Sequence, residues 1–266
     1  MARKTDQRRE LIIEQAARHG LATVDDLARQ FAVTASTIRR DLAQLSESGK
    51  LARTYGGALV PGTNLESSLS EREGEAYGAK TAIAEWASAQ VRDGESLLLD
   101  AGSTVALASR RLPPELSLSV TTTSIPIITR LQSRETIDLT ALGGRYRRLS
   151  QAFVGPLTEA ALDRLSFDRL FLGTDGVSAD ARICEAELEQ TRLKELMAAR
   201  SRNVYVLAHS AKLGNAPFNS WARFAAPWTL VTDSGADPDF LDEFRSSGNE
   251  VVVVPVSDEQ DPSGDA

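Results

Sequence analysis

The sequence predicts an α/β chain in two parts, a small winged helix-turn-helix over residues 1–60 and a larger, Rossmann-like, mostly parallel α/β domain over residues 71–256. Three observations carry this. Helical patterns separated by a very tight turn fill the first fifty residues and run into a glycine-bearing arm. Seven short apolar runs then alternate with helical patterns, the signature of a parallel sheet covered by helices. Between the two lies PGTNLESSLS, residues 61–70, rich in Pro, Gly, Ser and Asn and without periodicity, which reads as a linker.

Taken in order, residues 5–18 have helical periodicity, with Leu11, Ile12, Gln15 and Ala16 on an apolar-sided face and Gly20 placed as a C-terminal cap. Thr23 opens a second helix reaching Phe31, with Asp26 three residues on in a pattern like a capping box, and Val24, Leu27, Ala28 and Phe31 form its buried side. Ala32 and Val33 make the tight connection. Thr34 caps a third helix over residues 35–46, with Ile38, Leu42 and Leu45 inward. Ser48 and Gly49 end it, and residues 50–57 form an extended arm with a glycine pair, the expected wing.

The outward face of the third helix carries the chemistry. Ser36, Thr37, Arg39, Arg40 and Gln44 project away from the core side, offering hydroxyl, guanidinium and amide groups suited to phosphates and base edges, and Thr34 at the cap joins them as a candidate DNA contact. Lys50 and Arg53 on the arm are placed for the sugar-phosphate backbone. The alternative is a solvated helix face, with Arg39 or Arg40 paired to Asp41 or Glu47, beside an ordinary interdomain hairpin. Charge favours DNA: the formal net charge is −7, yet residues 1–57 hold ten Lys and Arg against seven Asp and Glu, so all the excess acid lies in the rest of the chain.

Beyond the linker, residues 73–91 read as a helix, and strands are expected at 96–100, 117–122, 137–142, 169–173, 203–208, 228–232 and 250–255. Five strand ends share a composition: Asp100, Gly102, Ser103 and Thr104; Thr121, Thr123 and Ser124; Gly143 and Gly144; Thr174, Asp175 and Gly176; His209, Ser210 and Lys212. In a doubly wound sheet these lie at the carboxyl edge, where ligands bind. Glycines there permit close backbone approach, hydroxyls and helix-start amides hold phosphate, and Lys212 adds positive charge. Against this stand ordinary roles: a plain turn at Gly143 and Gly144, strand propensity for the threonines, helix capping by Asp100 and Asp175, a local hydrogen bond for His209. Residues 257–266 read as a disordered acidic tail.

The composition excludes other classes. No apolar run approaches the length of a membrane span, and the charged N-terminus lacks the apolar stretch of a secretory signal, so a cytoplasmic protein is expected. A single cysteine, Cys184, and two histidines far apart in sequence leave no basis for a disulfide or a zinc site; Cys184 is expected to be buried and inert, and no metal or cofactor is expected.

Residues 8–59 closely resemble the DNA-binding domain of the DeoR family of bacterial sugar-metabolism regulators, through TIRRDL at residues 37–42, the spacing to Leu45 and Gly49, and the Arg53-x-x-Gly-Gly-Ala tail. The resemblance implies a third helix docked in the major groove of a double-stranded DNA operator, with Thr37, Arg39 and Arg40 as principal contacts. It extends to about residue 254 and implies a sensor domain with the ribose-5-phosphate isomerase fold, similar also to glucosamine-6-phosphate deaminase, that binds a small phosphorylated sugar. Matching positions are Asp100, Gly102, Ser103, Thr104, Thr121, Ser124, Gly143, Gly144, Arg145, Asp175, Gly176, Lys194 and Lys212. Thr123 stands where the family commonly has Asn, Gln190-Thr191 where it has Glu-Ala, and His209 where Asp is frequent. A homo-oligomer, dimer or tetramer, is expected, because such units read paired half-sites. Three functions compete: a repressor released by a sugar phosphate, with no catalytic residue; an isomerase-like enzyme with a DNA-binding end, for which Asp100, Asp175 and Lys212 would supply acid-base groups; and a constitutive DNA-binding protein with an empty sensor.

Overall fold

The computed structural model describes residues 8, 9, 11, 12, 24–47, 52–54, 57–59 and 66–256. The chain divides into two compact units, Met1–Ser67 and Ser68–Ala266.

In the first unit Arg8, Arg9, Leu11 and Ile12 have helical backbone; the other residues expected in the first helix lie outside the described residues. Helices α1 (Val24–Gln30) and α2 (Ala35–Glu47) follow, joined through Ala32 in a left-handed conformation at φ 51°. Strands β1 (Ala52–Thr54) and β2 (Gly57–Leu59) pair antiparallel, Ala52 opposite Leu59. Ile12, Leu27, Ile38, Leu42 and Leu45 are buried together, with Val24, Ala28, Phe31 and Val33 packed around them. Full burial of each Leu or Ile stabilises by about 1.5–3 kcal/mol. Leu11, expected on the apolar face, is instead 45% exposed. Adjacent helical residues point about 100° apart, and Ile12 is the one that faces the core.

The second unit opens with a helix whose first two residues, Leu69 and Ser70, fall within the expected linker. Helix α3 (Leu69–Gly74) is closed by a capping box in which the Ser68 hydroxyl accepts from the Glu71 N–H and the Glu71 carboxylate accepts from the Ser68 N–H at 2.7 Å. Its first residue is anchored, since Leu69 N–H donates to the Leu149 carbonyl at 2.8 Å and its side chain is buried. Residues 61–65 and 257–266 lie outside the described residues.

After helix α4 (Tyr77–Ala89) the chain alternates strand and helix. The strands are β3 (Ser96–Leu99), β4 (Leu118–Thr122), β5 (Ile137–Ala141), β8 (Phe167–Leu172), β11 (Ser201–Leu207), β13 (Thr229–Asp233) and β14 (Glu250–Val254). All seven expected runs are strands, and they form one sheet of order β14-β13-β11-β8-β3-β4-β5 with every neighbour parallel. Successive strands leave β3 first toward β5 and then, from β8, toward β14. The order therefore reverses between β3 and β8, the switch point of a doubly wound sheet.

Side-chain alternation along the strands sends Leu97, Leu99, Phe171, Leu207 and Val231 to one face, with α4, α5 (Ser103–Arg110) and α6 (Ile125–Leu131). Leu98, Leu170, Leu172, Val206 and Leu230 go to the other, with α7 (Pro156–Leu162), α8 (Leu188–Ala199) and α9 (Pro238–Ser246). Two small antiparallel sheets were not foreseen: the hairpin β6 (Arg145–Arg147) with β7 (Ala152–Val154), and a three-stranded sheet of β9 (Gly176–Val177), β10 (Arg182–Glu185) and β12 (Ser220–Arg223).

Candidate functional site

Helix α2 starts as expected, with Thr34 Oγ1 accepting from the Thr37 N–H at 3.3 Å and lying 2.9 Å from both the Ser36 and Thr37 hydroxyls. Thr34, Ser36, Arg39, Arg40 and Gln44 are exposed and Thr37 is half-buried, on sides of the helix that Ile38, Leu42 and Leu45 leave free. Asp41, suggested as a partner for Arg39 or Arg40, is buried and holds Arg8 and Arg9 instead, through Arg8 Nε at 2.7 Å and Arg9 Nε at 2.9 Å. The arginines of the first helix thus pin α2 from behind its outward face. Arg53 lies in β1, paired in backbone register with Ala58; Lys50 lies outside the described residues.

In the second unit a cavity of about 600 Å³, open mouth included, sits at the carboxyl ends of β3 and β8, the switch point of the sheet. Asp100, Gly102, Ser103, Thr104, Thr123, Asp175, Lys194 and Lys212 line it. Gly102 precedes the first turn of α5 at φ 153°, and a Cβ there would rest 3.7 Å from Gly173 Cα, so the two strand ends lie close together. Asp100 joins them further, its Oδ2 accepting from the Gly173 N–H at 3.2 Å.

Lys194 on α8 reaches beneath the same point. Its Nζ donates to the Gly173 carbonyl at 2.9 Å and lies 3.3 Å from Asp100 Oδ2 and 2.5 Å from Glu185 Oε1. Burial works against its charge, but Asp100 and Glu185 outweigh it and raise the pKa. Glu185 is pushed up to about 7 by burial, which Lys194 only partly offsets. Lys212 donates to the Thr174 carbonyl at 2.5 Å and has its pKa lowered by burial, against the pull of Asp175. Burial, with Lys212 and Lys80 adding repulsion, depresses His209 to about 4, so its imidazole is neutral near pH 7.

The remaining expected residues do not line this cavity. Thr121 and Ser124 are buried in and just after β4. Gly144 and Gly176 are where other groups crowd in: a Cβ would come within 2.2 Å of Thr158 Oγ1 at Gly144 and within 2.2 Å of the Asn215 carbonyl oxygen at Gly176. The Gly143 carbonyl accepts from the Thr158 hydroxyl at 2.9 Å. Arg145 is exposed and pairs with Glu189 and Glu187 at the start of α8.

Sequence reasoning missed several lining groups, including Arg72, Ser150, Phe153, Val154 and Glu185. Arg72 comes from α3 and its Nη1 meets Asp175 Oδ1 at 3.1 Å. Lys80, almost fully buried, donates from Nζ to the Arg72 carbonyl; burial, with the charge of Lys212, lowers its pKa to about 8. The Ser-x-x-Glu box from Ser68 to Glu71 was the available signal for α3, but nothing in the local sequence points Arg72 toward Asp175. Three buried polar atoms lining the cavity, Ser150 Oγ, Asp175 Oδ2 and Gln190 Oε1, have no hydrogen-bond partner among the described residues. Such groups are costly unless something satisfies them.

No helix among the described residues is long and apolar enough to cross a membrane. Residues 8–64 match the model of the DeoR-like helix-turn-helix domain, and residues 75–234 that of the DeoR C terminal sensor domain. Among curated proteins the chain is 33% identical to the HTH-type transcriptional regulator YulB of Bacillus subtilis, over 94% of this chain and 97% of that one. It is 30% identical to the HTH-type transcriptional regulator GlpR of Haloferax volcanii, over 92% and 96%. It is 29% identical to the glycerol-3-phosphate regulon repressor of Escherichia coli K12, over 79% and 84%. A ribose 5-phosphate isomerase A from Methanocaldococcus jannaschii superposes on 50% of this chain and 53% of its own at 22% identity and a TM-score of 0.38, too loosely to carry an argument. The two domain matches in order, with relatives of similar length named as HTH-type transcriptional regulators, identify the chain as a DNA-binding transcriptional regulator belonging to the DeoR family.

Proposed function

We propose that this regulator represses a carbohydrate-catabolism operon, binding a double-stranded operator as a homo-oligomer and releasing it when a small phosphorylated sugar enters the cavity of the second unit. On the DNA side Thr34, Ser36, Thr37, Arg39, Arg40 and Gln44 of the α2 face meet base edges and phosphates, with Lys50 and Arg53 on the backbone.

The observation that carries the effector reading is the set of partnerless atoms in the cavity. Asp175 Oδ2 and Gln190 Oε1 are acceptors, and the Ser150 hydroxyl both accepts and donates. A ligand that satisfies them brings several O–H donors, which is the chemistry of a sugar. Its phosphate finds Ser103, Thr104 and the amides at the start of α5, with Lys212 supplying positive charge. Names among the relatives agree with this, since one is a glycerol-3-phosphate regulon repressor and another a putative aga operon transcriptional repressor.

The test is binding of the full-length protein to DNA upstream of its own gene, measured with and without a panel of sugar phosphates and the matching free sugars. Release by one phosphorylated member and not by its free sugar is the expected result. Binding that no member of the panel changes would remove the effector half of the proposal and leave DNA binding standing.

A further inference from the structure

Three cations line the cavity, and they are not equally able to receive an anion. Lys194 is locked between Gly173, Asp100 and Glu185, where it neutralises two buried carboxylates. Removing it from them would leave those charges unpaired in a buried site, which is strongly unfavourable. Lys212 is a single point charge already seated on the Thr174 carbonyl. Arg72 carries a planar fork of N–H donors, the geometry that grips phosphate oxygens two at a time.

Its partner is the second observation. Asp175 takes Arg72 on one oxygen at 3.1 Å, while the other oxygen is buried and has no hydrogen-bond partner among the described residues. The Asp175 side chain is only 9% exposed. A carboxylate held this way is poorly satisfied, and a ligand that gives it a hydroxyl donor while offering the guanidinium an anion improves both contacts at once.

We propose that Arg72 binds the anionic group of the effector, exchanging the Asp175 carboxylate for it, while Asp175 turns to a hydroxyl of the same ligand. This rests on the sugar-phosphate reading above and adds to it a residue and a displacement. Arg72 belongs to α3, whose cap Ser68 is the first residue of the second unit in sequence. Lys80 holds the carbonyl of the same arginine, and Leu69 is tied to Leu149, next to Ser150 in the cavity wall. The exchange therefore acts on the element that directly follows the boundary between the units.

The experiment uses the full-length protein with inorganic phosphate and a panel of sugar phosphates as probes, comparing R72Q, R72K, D175N and the double variant R72Q/D175N with wild type by calorimetry. R72Q is expected to weaken every phosphate-bearing probe by about tenfold to a hundredfold, the range of a lost charge-assisted hydrogen bond, and to leave free sugars within about twofold. R72K, which keeps the charge and loses the fork, falls between. D175N removes the internal competitor, so inorganic phosphate binds it several-fold more tightly than wild type. The double variant, in which neither buried charge is left alone, keeps the comparison valid if R72Q folds poorly, and is expected to bind phosphate no better than R72Q. Inorganic phosphate affinity unmoved by R72Q/D175N and by D175N would overturn the proposal. If inorganic phosphate follows Arg72 and Asp175 as stated while no sugar phosphate in the panel binds, the sugar-phosphate reading fails and the anion site stands.

Discussion

Lys194 and Asp100 meet at 3.3 Å beneath the switch point, one from helix α8 and the other from the residue after strand β3, 94 positions earlier in the chain by their numbers. With Glu185 on the opposite side of the ammonium, the contact makes the floor of the cavity a buried set of charges held in place by its own members.

Lys194→Met is accordingly expected to cost about 3–5 kcal/mol of stability in urea unfolding, since it strands two buried carboxylates. Adding Glu185→Gln to that variant should recover part of the loss. An equal loss in the single and the double variant would show that Glu185 contributes nothing to the ion set.

His209 sets a pH dependence. Its folded pKa of about 4 lies below the ordinary value of 6.5, so between the two the unfolded chain binds a proton that the folded chain refuses. Its contribution is complete above pH 6.5 and is lost as pH falls toward 4, up to about 3 kcal/mol at 1.36 kcal/mol per unit. Unfolding free energies measured from pH 7.5 to 4.5 should fall more steeply in wild type than in His209→Gln. Parallel curves would contradict the burial argument.

On the DNA side, Arg40→Ala is expected to weaken operator binding by about 1–3 kcal/mol without moving the melting temperature, because the side chain is exposed and its loss opens no core. Ile38→Ala, two residues away and completely buried, should instead destabilise the first unit by about 2–5 kcal/mol. Calorimetric melting and fluorescence anisotropy with labelled operator separate the two effects.

Gly176→Ala tests whether that glycine belongs to the cavity or to packing. The added methyl would lie 2.2 Å from a backbone oxygen of Asn215, so the chain must shift, at a cost of about 1–3 kcal/mol. The melting temperature should fall by an amount no ligand changes; a normal melting curve would refute the crowding.

How far the sequence could be read depended on how local the cause was. The seven strands were legible because both faces of the parallel sheet are covered, which forces continuous apolar runs such as Leu97–Leu99 and Leu170–Leu172. Asp100 to Thr104 and Asp175 were legible because a strand end followed by glycine and hydroxyls is a short-range pattern. The two-stranded hairpin at Arg145 and the sheet around Gly176 were not, since strands of two to four residues carry too little alternation. Arg72 was hidden for another reason: it sits in the charged string SEREGE, and only a fold that brings it 103 positions along the chain to Asp175 gives it meaning. Glycines misled most, because Gly144 and Gly176 yield space to the protein's own atoms.

The strand order also sets a timetable. Strand β3 waits for β8 on one edge, and Ser96 bonds Asp168 from 72 positions away. At a synthesis rate of about 5–20 residues per second, that edge stays open for roughly 4 to 14 s on the ribosome. During that interval Leu97, Leu98 and Leu99 form an apolar strand with bare amides, the kind of segment that recruits chaperones or sticks to its like. Refolding from urea should be correspondingly slow and sensitive to protein concentration, whereas the core of the first unit, built from near neighbours, closes early.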